Sequence, residues 1–215
     1  MIYNTTMKKT ITILFTLAVC FANAQVSEPG VEASSKSLFE VTIDGKIYTV
    51  EEGQELRLDG KFDNPRMSVK LKDQRKFQGA GITFDYPNNF SFESSSDPGS
   101  DEWILDGNDH VIMIYDIAGV FEVQDFINNM IPQFGEENCK TKDIEISLGG
   151  REIYGMQLLV EVLNQQTSIN MYRYHDTEDS SRFIIFQDSL NEDGSPTQEG
   201  KKAFEMIDAS LQYQD

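Results

Sequence analysis

The feature that most constrains the fold is a series of four strand-like runs between residues 143 and 190. The joins between the runs are short and polar, at Gly149-Gly150, Asn164-Gln165 and residues 176–181. Joins of this kind connect neighbouring antiparallel strands. The sequence therefore predicts a four-stranded antiparallel meander, with strands over residues 143–148, 152–163, 166–175 and 182–190.

The first 24 residues have the pattern of an export signal. Two lysines precede an apolar run over residues 11–21, and the small residues Ala22 and Ala24 stand where signal peptidase requires them. The run is too short for a membrane span. A lipoprotein signal at Cys20 is the alternative, but Val19 stands where such signals have a small residue. We expect cleavage after Ala24 and an exported protein, either periplasmic or secreted.

The exported chain would be strongly acidic. Loss of residues 1–24 removes two of the 18 Lys and Arg residues and none of the 36 Asp and Glu residues, which changes the net charge from −18 to −20. Phosphate backbones and anionic lipids repel such a chain. We therefore exclude nucleic acid as a partner, and no other apolar run approaches the length of a membrane span. A protein, a cation or a neutral molecule is expected as the partner.

The exported part divides into three segments. Residues 25–37 are rich in Ser, Glu and Gly without apolar periodicity, which predicts a disordered linker. Residues 38–75 contain the turn signals Asp44-Gly45 and Asp59-Gly60, which predict an N-terminal antiparallel β extension built on a hairpin. Residues 76–215 are predicted to form the main domain.

Further strands are predicted ahead of the meander. Residues 81–87 alternate apolar and polar side chains and end at a proline, as a half-buried strand does. A hairpin is predicted from the run at Trp103 and from residues 110–117, with its turn at Asp106-Gly107-Asn108. The second of these runs is apolar on both faces, which predicts a central strand. The serine-rich residues 94–101 are predicted to be a polar loop.

Two helices are predicted in the main domain. The first has one apolar stripe, which consists of Val123, Phe126, Ile127, Met130, Ile131 and Phe134. Such a stripe packs on a sheet, and Pro132 should end or kink the helix in its last turn. In the second helix, Ser195 would cap the N-terminus and Pro196 would take the first helical position. This helix is expected to end near Tyr213.

No catalytic set is recognisable, so we expect neither an enzyme nor a cofactor. Cys139 has both acidic and lysine neighbours, whose effects on a thiol pKa oppose each other, and an inert thiol is the preferred interpretation. His110 and His175 each stand beside an acidic residue and would form a zinc or copper site if the fold joined them. Separate surface histidines are the preferred alternative, so no metal site is expected.

The order of elements resembles that of a known family. The residues that carry the likeness are Tyr86-Pro87, the run from Asn89 to Phe92, the Trp103 hairpin, and a closing helix with Phe204 and Ile207. Over residues 78–213 this resembles the PsbP-like fold family, which includes extrinsic subunits of photosystem II, a Ran-binding nuclear import factor and small exported bacterial proteins. The resemblance implies an α+β fold, an antiparallel sheet of six or seven strands flanked by two long helices. It also implies an adaptor surface and no catalysis.

Two functions are compatible with these observations. The first is an exported, non-catalytic adaptor that binds another protein, with Tyr172 and Tyr174 as an exposed aromatic strip if the helices leave that face bare. Burial of both rings, as a second covered face of the sheet, is the preferred alternative. The second is a carrier of a small ligand or cation in a pocket beside the sheet, lined by Trp103, Tyr115, Tyr172 and Tyr174. A deep cleft would favour the carrier, and a flat exposed patch would favour the adaptor.

Overall fold

Antiparallel strands dominate the computed structural model, which describes residues 33–60 and 63–214. The predicted signal peptide and residues 25–32 of the predicted linker lie outside the described residues. The elements, in chain order, are β1 (Ser34–Ile43), β2 (Lys46–Glu51), β3 (Met67–Gly79), β4 (Ile82–Pro87), β5 (Ser91–Asp97), β6 (Ser100–Asp106), β7 (His110–Ala118), α1 (Val123–Phe134), a short 3-10 helix (Glu136–Asn138), β8 (Cys139–Leu148), β9 (Arg151–Val162), β10 (Gln165–Asp176), β11 (Ser180–Ser189), α2 (Gln198–Ser210) and β12 (Gln212–Tyr213).

The strands form two antiparallel sheets that pack as a β-sandwich. The five-stranded sheet has the order β12-β4-β3-β1-β2, and the seven-stranded sheet has the order β5-β6-β7-β11-β10-β9-β8. The predicted α+β fold, with one sheet flanked by two long helices, is therefore wrong. Its error lies in residues 38–75, which are not an appendage. They supply most of a second sheet, and that sheet covers a face of the seven-stranded sheet that the prediction assigned to a helix.

The predicted meander is confirmed as β8 to β11, in which consecutive strands pair antiparallel. Its first two joins are tight turns in which both central residues have positive φ, at Gly149-Gly150 and at Leu163-Asn164. Such turns match the twist of the strands they connect. The predicted central strand is confirmed as β7, which pairs with β6 on one side and with β11 on the other.

The long strand β3 crosses the boundary that was predicted near residue 75. Its first half pairs with the second half of β1, and its second half pairs with both β1 and β4. Strand β1 begins at Ser34, so the predicted disorder of residues 25–37 does not extend to Ser34 and the three residues after it. This polar segment is ordered by pairing, from Ser34 opposite Gln78 to Ser37 opposite Arg75. A composition typical of a linker is thus overridden by ladder hydrogen bonds and by a contact between the hydroxyls of Ser35 and Tyr86.

Two hydrophobic cores lie on opposite faces of the seven-stranded sheet. The first fills the sandwich, where Phe77, Phe84 and Tyr86 of the five-stranded sheet meet the seven-stranded sheet, and α2 completes it with Ala203 and Ile207. The second core lies under α1, whose buried residues are Val123, Phe126, Ile127 and Met130. The seven-stranded sheet is therefore buried on both faces, which explains why β7 and β11 are apolar at successive positions.

Both helices occur where the sequence predicts them, but they are short. Helix α1 has 12 residues, includes Pro132 in its last turn and is followed by the C-cap Gly135, which has a φ of 86°. Helix α2 has 13 residues and ends at Ser210, and its N-cap is Thr197, not the predicted Ser195. Within residues 33–60 and 63–214, no helix combines the length and the apolar character that crossing a membrane requires.

Buried polar contacts decide where α2 begins. Asp188 at the end of β11 is 5% exposed, and its carboxylate accepts hydrogen bonds from the backbone N–H of Thr197 at 2.9 Å and from the Thr197 hydroxyl at 2.5 Å. The Thr197 hydroxyl in turn accepts the N–H of Gly200 at 3.0 Å, as an N-cap does. Asp188 therefore selects Thr197 as the cap, because Asp188 orients the side chain that caps the helix.

The same carboxylate also faces a histidine. Nδ1 of His110 lies 3.4 Å from Oδ1 of Asp188, beyond the usual hydrogen-bond range, so the two bonds from Thr197 hold the carboxylate in place. Burial acts to raise the pKa of Asp188, but the contacts with His110 and Thr197 outweigh burial and lower the pKa below its usual range. Ionised Asp188 therefore stabilises the folded state.

We expect Asp188→Asn to lower the free energy of unfolding at pH 7 by about 1–3 kcal/mol, because an amide cannot accept both bonds from Thr197 as a carboxylate does. A carboxyl with a lowered pKa in the folded state stabilises above its unfolded pKa and loses this effect as the pH falls through the folded value. The difference between wild type and variant should therefore shrink below about pH 3.9. Urea unfolding of wild type and variant across a pH series measures this difference in the free energy of unfolding.

The matched control for this prediction is Asp109→Asn, which changes an exposed carboxyl one residue before His110. Surface changes of this kind alter stability by less than about 0.5 kcal/mol. A difference between wild type and Asp188→Asn that stays constant from neutral to acidic pH would show that the Asp188 charge does not stabilise the fold.

Candidate functional site

A cavity of about 400 Å³ lies between α1 and one end of the seven-stranded sheet. Its floor is made by strands β5, β6 and β7, in which every second residue faces α1. Directly opposite residues on these strands form two rows across the floor, one of Ser95, Glu102 and Tyr115, and the other of Asp97, Ser100 and Ile117. The site is therefore built on strands, and their register fixes which side chains enter it.

The roof of the cavity comes from α1 and from the residues that precede it. The roof residues are Phe121, Asp125, Phe126, Asn128 and Asn129. Helix α1 contacts β9 and β10 most closely, and its 12 residues span only about 18 Å at 1.5 Å per residue. Because strands lie about 4.8 Å apart, a helix of this size covers only part of a seven-stranded sheet, and the cavity lies where the cover ends.

Tyr115 and Glu102 form the polar centre of the floor. The Tyr115 hydroxyl donates to Oε1 of Glu102, and the Ser95 hydroxyl donates to Oε2 at 3.2 Å. Burial, with the Glu102 carboxylate beside it, raises the pKa of the Tyr115 phenol far above its usual range. The phenol is therefore neutral at physiological pH and remains a donor, and the Glu102 carboxylate is held in one orientation by two neutral groups.

Only one of the four residues predicted to line a pocket lies in this cavity. Tyr115 is in the floor, whereas Trp103, Tyr172 and Tyr174 pack in the sandwich core on the opposite face of the sheet. The predicted four-residue pocket is therefore wrong. Strand register gives the reason: Trp103 lies opposite Ile114, so Tyr115 must point to the other face.

The exposed aromatic strip is not found, because both of its rings are buried, as the preferred alternative of a second covered sheet face predicted. Tyr172 is 5% exposed and Tyr174 is 7% exposed. Burial raises the pKa of Tyr172 to about 12, and the Tyr174 hydroxyl donates to the carbonyl of Ala80 at 2.8 Å. The five-stranded sheet covers this face, so these tyrosines do not form a recognition surface.

The two histidines do not meet. His110 is buried beside Asp188, and His175 lies near the end of β10, where it is partly exposed. Within the described part of the chain, no group of three or more His, Cys, Asp and Glu side chains is arranged to hold a metal ion.

The part of the cavity floor formed by β5 and β6 was not predicted from the sequence. Residues 94–101 were predicted to be a loop, but most of them form a hairpin that turns at Pro98-Gly99. Its strands are stabilised by pairing, with Ser95 opposite Glu102 and Ser96 opposite Asp101. The one available signal was the alternation of Ser95 and Asp97 with Ser96, which is hard to recognise because both faces are polar.

Cys139 begins β8 and is partly exposed. Burial and the nearby Glu137 carboxylate raise the pKa of the Cys139 thiol. The thiol is therefore protonated at neutral pH, which is unfavourable for a nucleophile.

A second concavity of about 360 Å³ lies near Cys139, lined by Glu137, Lys140, Glu161 and their neighbours. Its lining contains charges of both signs and no aromatic ring, which makes it a weaker candidate for a ligand site than the cavity beneath α1.

Comparisons with known proteins do not assign this chain to a family. No protein-family model matches it, and no curated protein matches it. The crystal structure of a Bacteroides thetaiotaomicron protein, at 1.50 Å resolution, matches 63% of this chain and 46% of its own chain, with 16% identity and a TM-score of 0.36. This chain thus spans less than half the length of that protein, and a likeness at this level carries no argument. The resemblance to the PsbP-like fold family stays a prediction.

Proposed function

We propose that this protein is an exported, non-catalytic binding protein that holds a small ligand in the cavity beneath α1. The observation that carries the proposal is the cavity itself, which has about 400 Å³ of space, rigid strands as its floor and a mixed aromatic and polar lining. Ligand sites in proteins are concave, are of this order of size and combine apolar walls with a few polar groups. Of the two functions considered from sequence, the carrier thus has the stronger support.

The proposal is limited to binding because of the chemistry of the lining. None of its residues is a histidine, cysteine or lysine, so the lining has no thiol or amine nucleophile and no imidazole, the group that most often acts as a general base. The buried pair of His110 and Asp188 belongs to the attachment of α2 and does not line the cavity.

A cavity-filling substitution tests the proposal. Ser100→Tyr places a ring in the floor at a strand position, where aromatic residues are well tolerated, and it should block the cavity. Ser96→Tyr makes the same change on β5, but its side chain belongs to the opposite face. Saturation-transfer NMR with a panel of neutral, anionic and cationic organic fragments should give ligands that bind wild type and Ser96→Tyr and fail to bind Ser100→Tyr.

The proposal fails if no fragment shows this pattern while both variants keep the melting temperature of the wild type. Binding that survives in Ser100→Tyr would place the ligand site elsewhere on the protein.

A protein-binding adaptor is the second candidate function. It is favoured by a row of exposed apolar side chains on β3, where Met67, Val69 and Leu71 are 68%, 58% and 48% exposed. Alternate residues of a strand share one face, so these three form a continuous apolar strip. The adaptor ranks second because an apolar strip accepts many proteins, whereas the cavity restricts the size and charge of its ligand.

Export is part of the proposal and has its own test. Its support is the sequence pattern of residues 1–24, in which Ala22 and Ala24 fit cleavage before Gln25. We expect intact-mass analysis of the protein recovered outside the cytoplasm to give a chain that begins at Gln25. A mass that retains residues 1–24, or one that carries fatty acyl chains on Cys20, would contradict it.

A further inference from the structure

The cavity beneath α1 carries an excess of negative charge. Asp97, Glu102 and Asp125 contribute carboxylates to its lining, which contains no Lys, Arg or His. Within residues 33–60 and 63–214, none of these three carboxylates forms an ion pair with a cationic side chain. A concave site with low-dielectric walls concentrates the field of such charges, and the field attracts a positive ligand and opposes an anion.

The position of Glu102 makes its charge available inside the cavity. Its two oxygens accept the hydroxyls of Tyr115 and Ser95, both neutral donors that leave the carboxylate charge uncompensated. A carboxylate offers about four lone-pair sites, so Glu102 can accept further N–H donors or attract a cation directly. The two hydroxyls fix its orientation, which lowers the entropic cost of binding.

Aromatic rings form the second component of the cavity. Phe126 is the middle ring of a connected group, with its centroid 6.2 Å from that of Tyr115 and 6.4 Å from that of Phe121. The faces of aromatic rings attract cations through the ring quadrupole, and this attraction is strongest where water is excluded. Tyr115 donates its hydroxyl proton towards a carboxylate, which increases the electron density of its ring.

Size distinguishes an organic cation from a metal ion. No group of acidic, histidine or cysteine side chains in the described residues is arranged as a metal site, so the three carboxylates surround the cavity without converging on one point. A space of about 400 Å³ exceeds what a metal ion and its ligands fill and suits a small organic molecule.

From the uncompensated carboxylates, the connected rings and the volume together, we infer that the cavity selects an organic cation, a substituted ammonium group on a small carbon skeleton. The inference rests on the proposed function and narrows its ligand class. The ammonium group lies between Glu102 and the rings of Tyr115 and Phe126, and the exposed carboxylates of Asp97 and Asp125 draw the cation towards the opening of the cavity.

Two probes of the same shape test the inference by calorimetry. Choline carries a quaternary nitrogen, and 3,3-dimethylbutan-1-ol has a neutral carbon in its place. Cation–π and charge interactions should make choline bind at least about tenfold more tightly than the neutral alcohol. Choline affinity should fall as salt rises because its charge is partly screened, whereas affinity for the alcohol should not fall.

Variants locate the effect in the cavity. Glu102→Gln keeps the shape of the side chain and can still accept from Tyr115, and it should reduce choline affinity by about tenfold while leaving affinity for the alcohol unchanged. Glu145→Gln is the matched control, because Glu145 is exposed on β8, at the opposite edge of the seven-stranded sheet from β5, and does not line the cavity. It should leave choline affinity within about twofold, since a distant exposed charge is screened. Asp125→Asn, an exposed change on α1, gives a second measurement if Glu102→Gln unfolds.

The outcomes separate this inference from the proposed function. Equal affinity for the two probes, lost in Ser100→Tyr, would overturn the cation inference and leave a small-ligand site. Absence of choline binding, while other fragments bind in a manner sensitive to Ser100→Tyr, would overturn it as well. If no compound binds in that manner, the proposed function and the inference fall together.

Discussion

The structure depends on a seven-stranded sheet that must be covered on both faces. Strands β7 and β11 supply apolar side chains to each face in turn, as Ile112 and Ile114 do for the sandwich core and Met113 for the core under α1. A sheet of this kind is stable only with two covering layers. The chain provides unequal covers: a second sheet with α2 on one face, and one short helix on the other. The cavity forms because the short helix α1 leaves part of its face of the sheet uncovered.

Polar contacts hold α2 in place on the sandwich side of the seven-stranded sheet. Besides the bonds between Asp188 and Thr197, the carboxylate of Glu199 in the first turn of α2 accepts the backbone N–H groups of Asn108 and Asp109, at 2.8 and 2.7 Å. These two carboxylates attach α2 to the start of β7 and to the end of β11, two strands that pair with each other. Satisfied polar contacts of this kind specify one arrangement of a helix that apolar packing alone would leave free to slide.

Local patterns in the sequence predicted the local parts of this fold. The Gly149-Gly150 turn, the apolar run of β7 and the stripe of α1 each encode their structure within a few residues, and the structure agrees with them. Long-range pairing was not predictable in this way. Nothing within residues 34–37 indicates that they pair with β3 some forty residues later. The opposite orientations of Trp103 and Tyr115 depend on the register of one hairpin, and a shift of one residue would have exchanged them.

The composition of one cross-strand row shows how the site is related to the fold. The row begins with Ser95 and Glu102 at the sheet edge, passes through Tyr115 and the fully buried Phe183, and continues to Arg173 on β10. The side chains of the row thus become less polar from the sheet edge to Phe183, and the charged Arg173 beyond it donates to the carbonyl of Phe121 at 3.2 Å. Apolar residues in place of Ser95 and Glu102, covered by a longer α1, would have extended the core. Burial of that additional apolar surface would have made the fold more stable. Departures from such packing are expected where a protein meets a ligand. The polar end of this row, at the place where the helix stops covering the sheet, is therefore the strongest structural argument that the cavity is a functional site and not a packing defect.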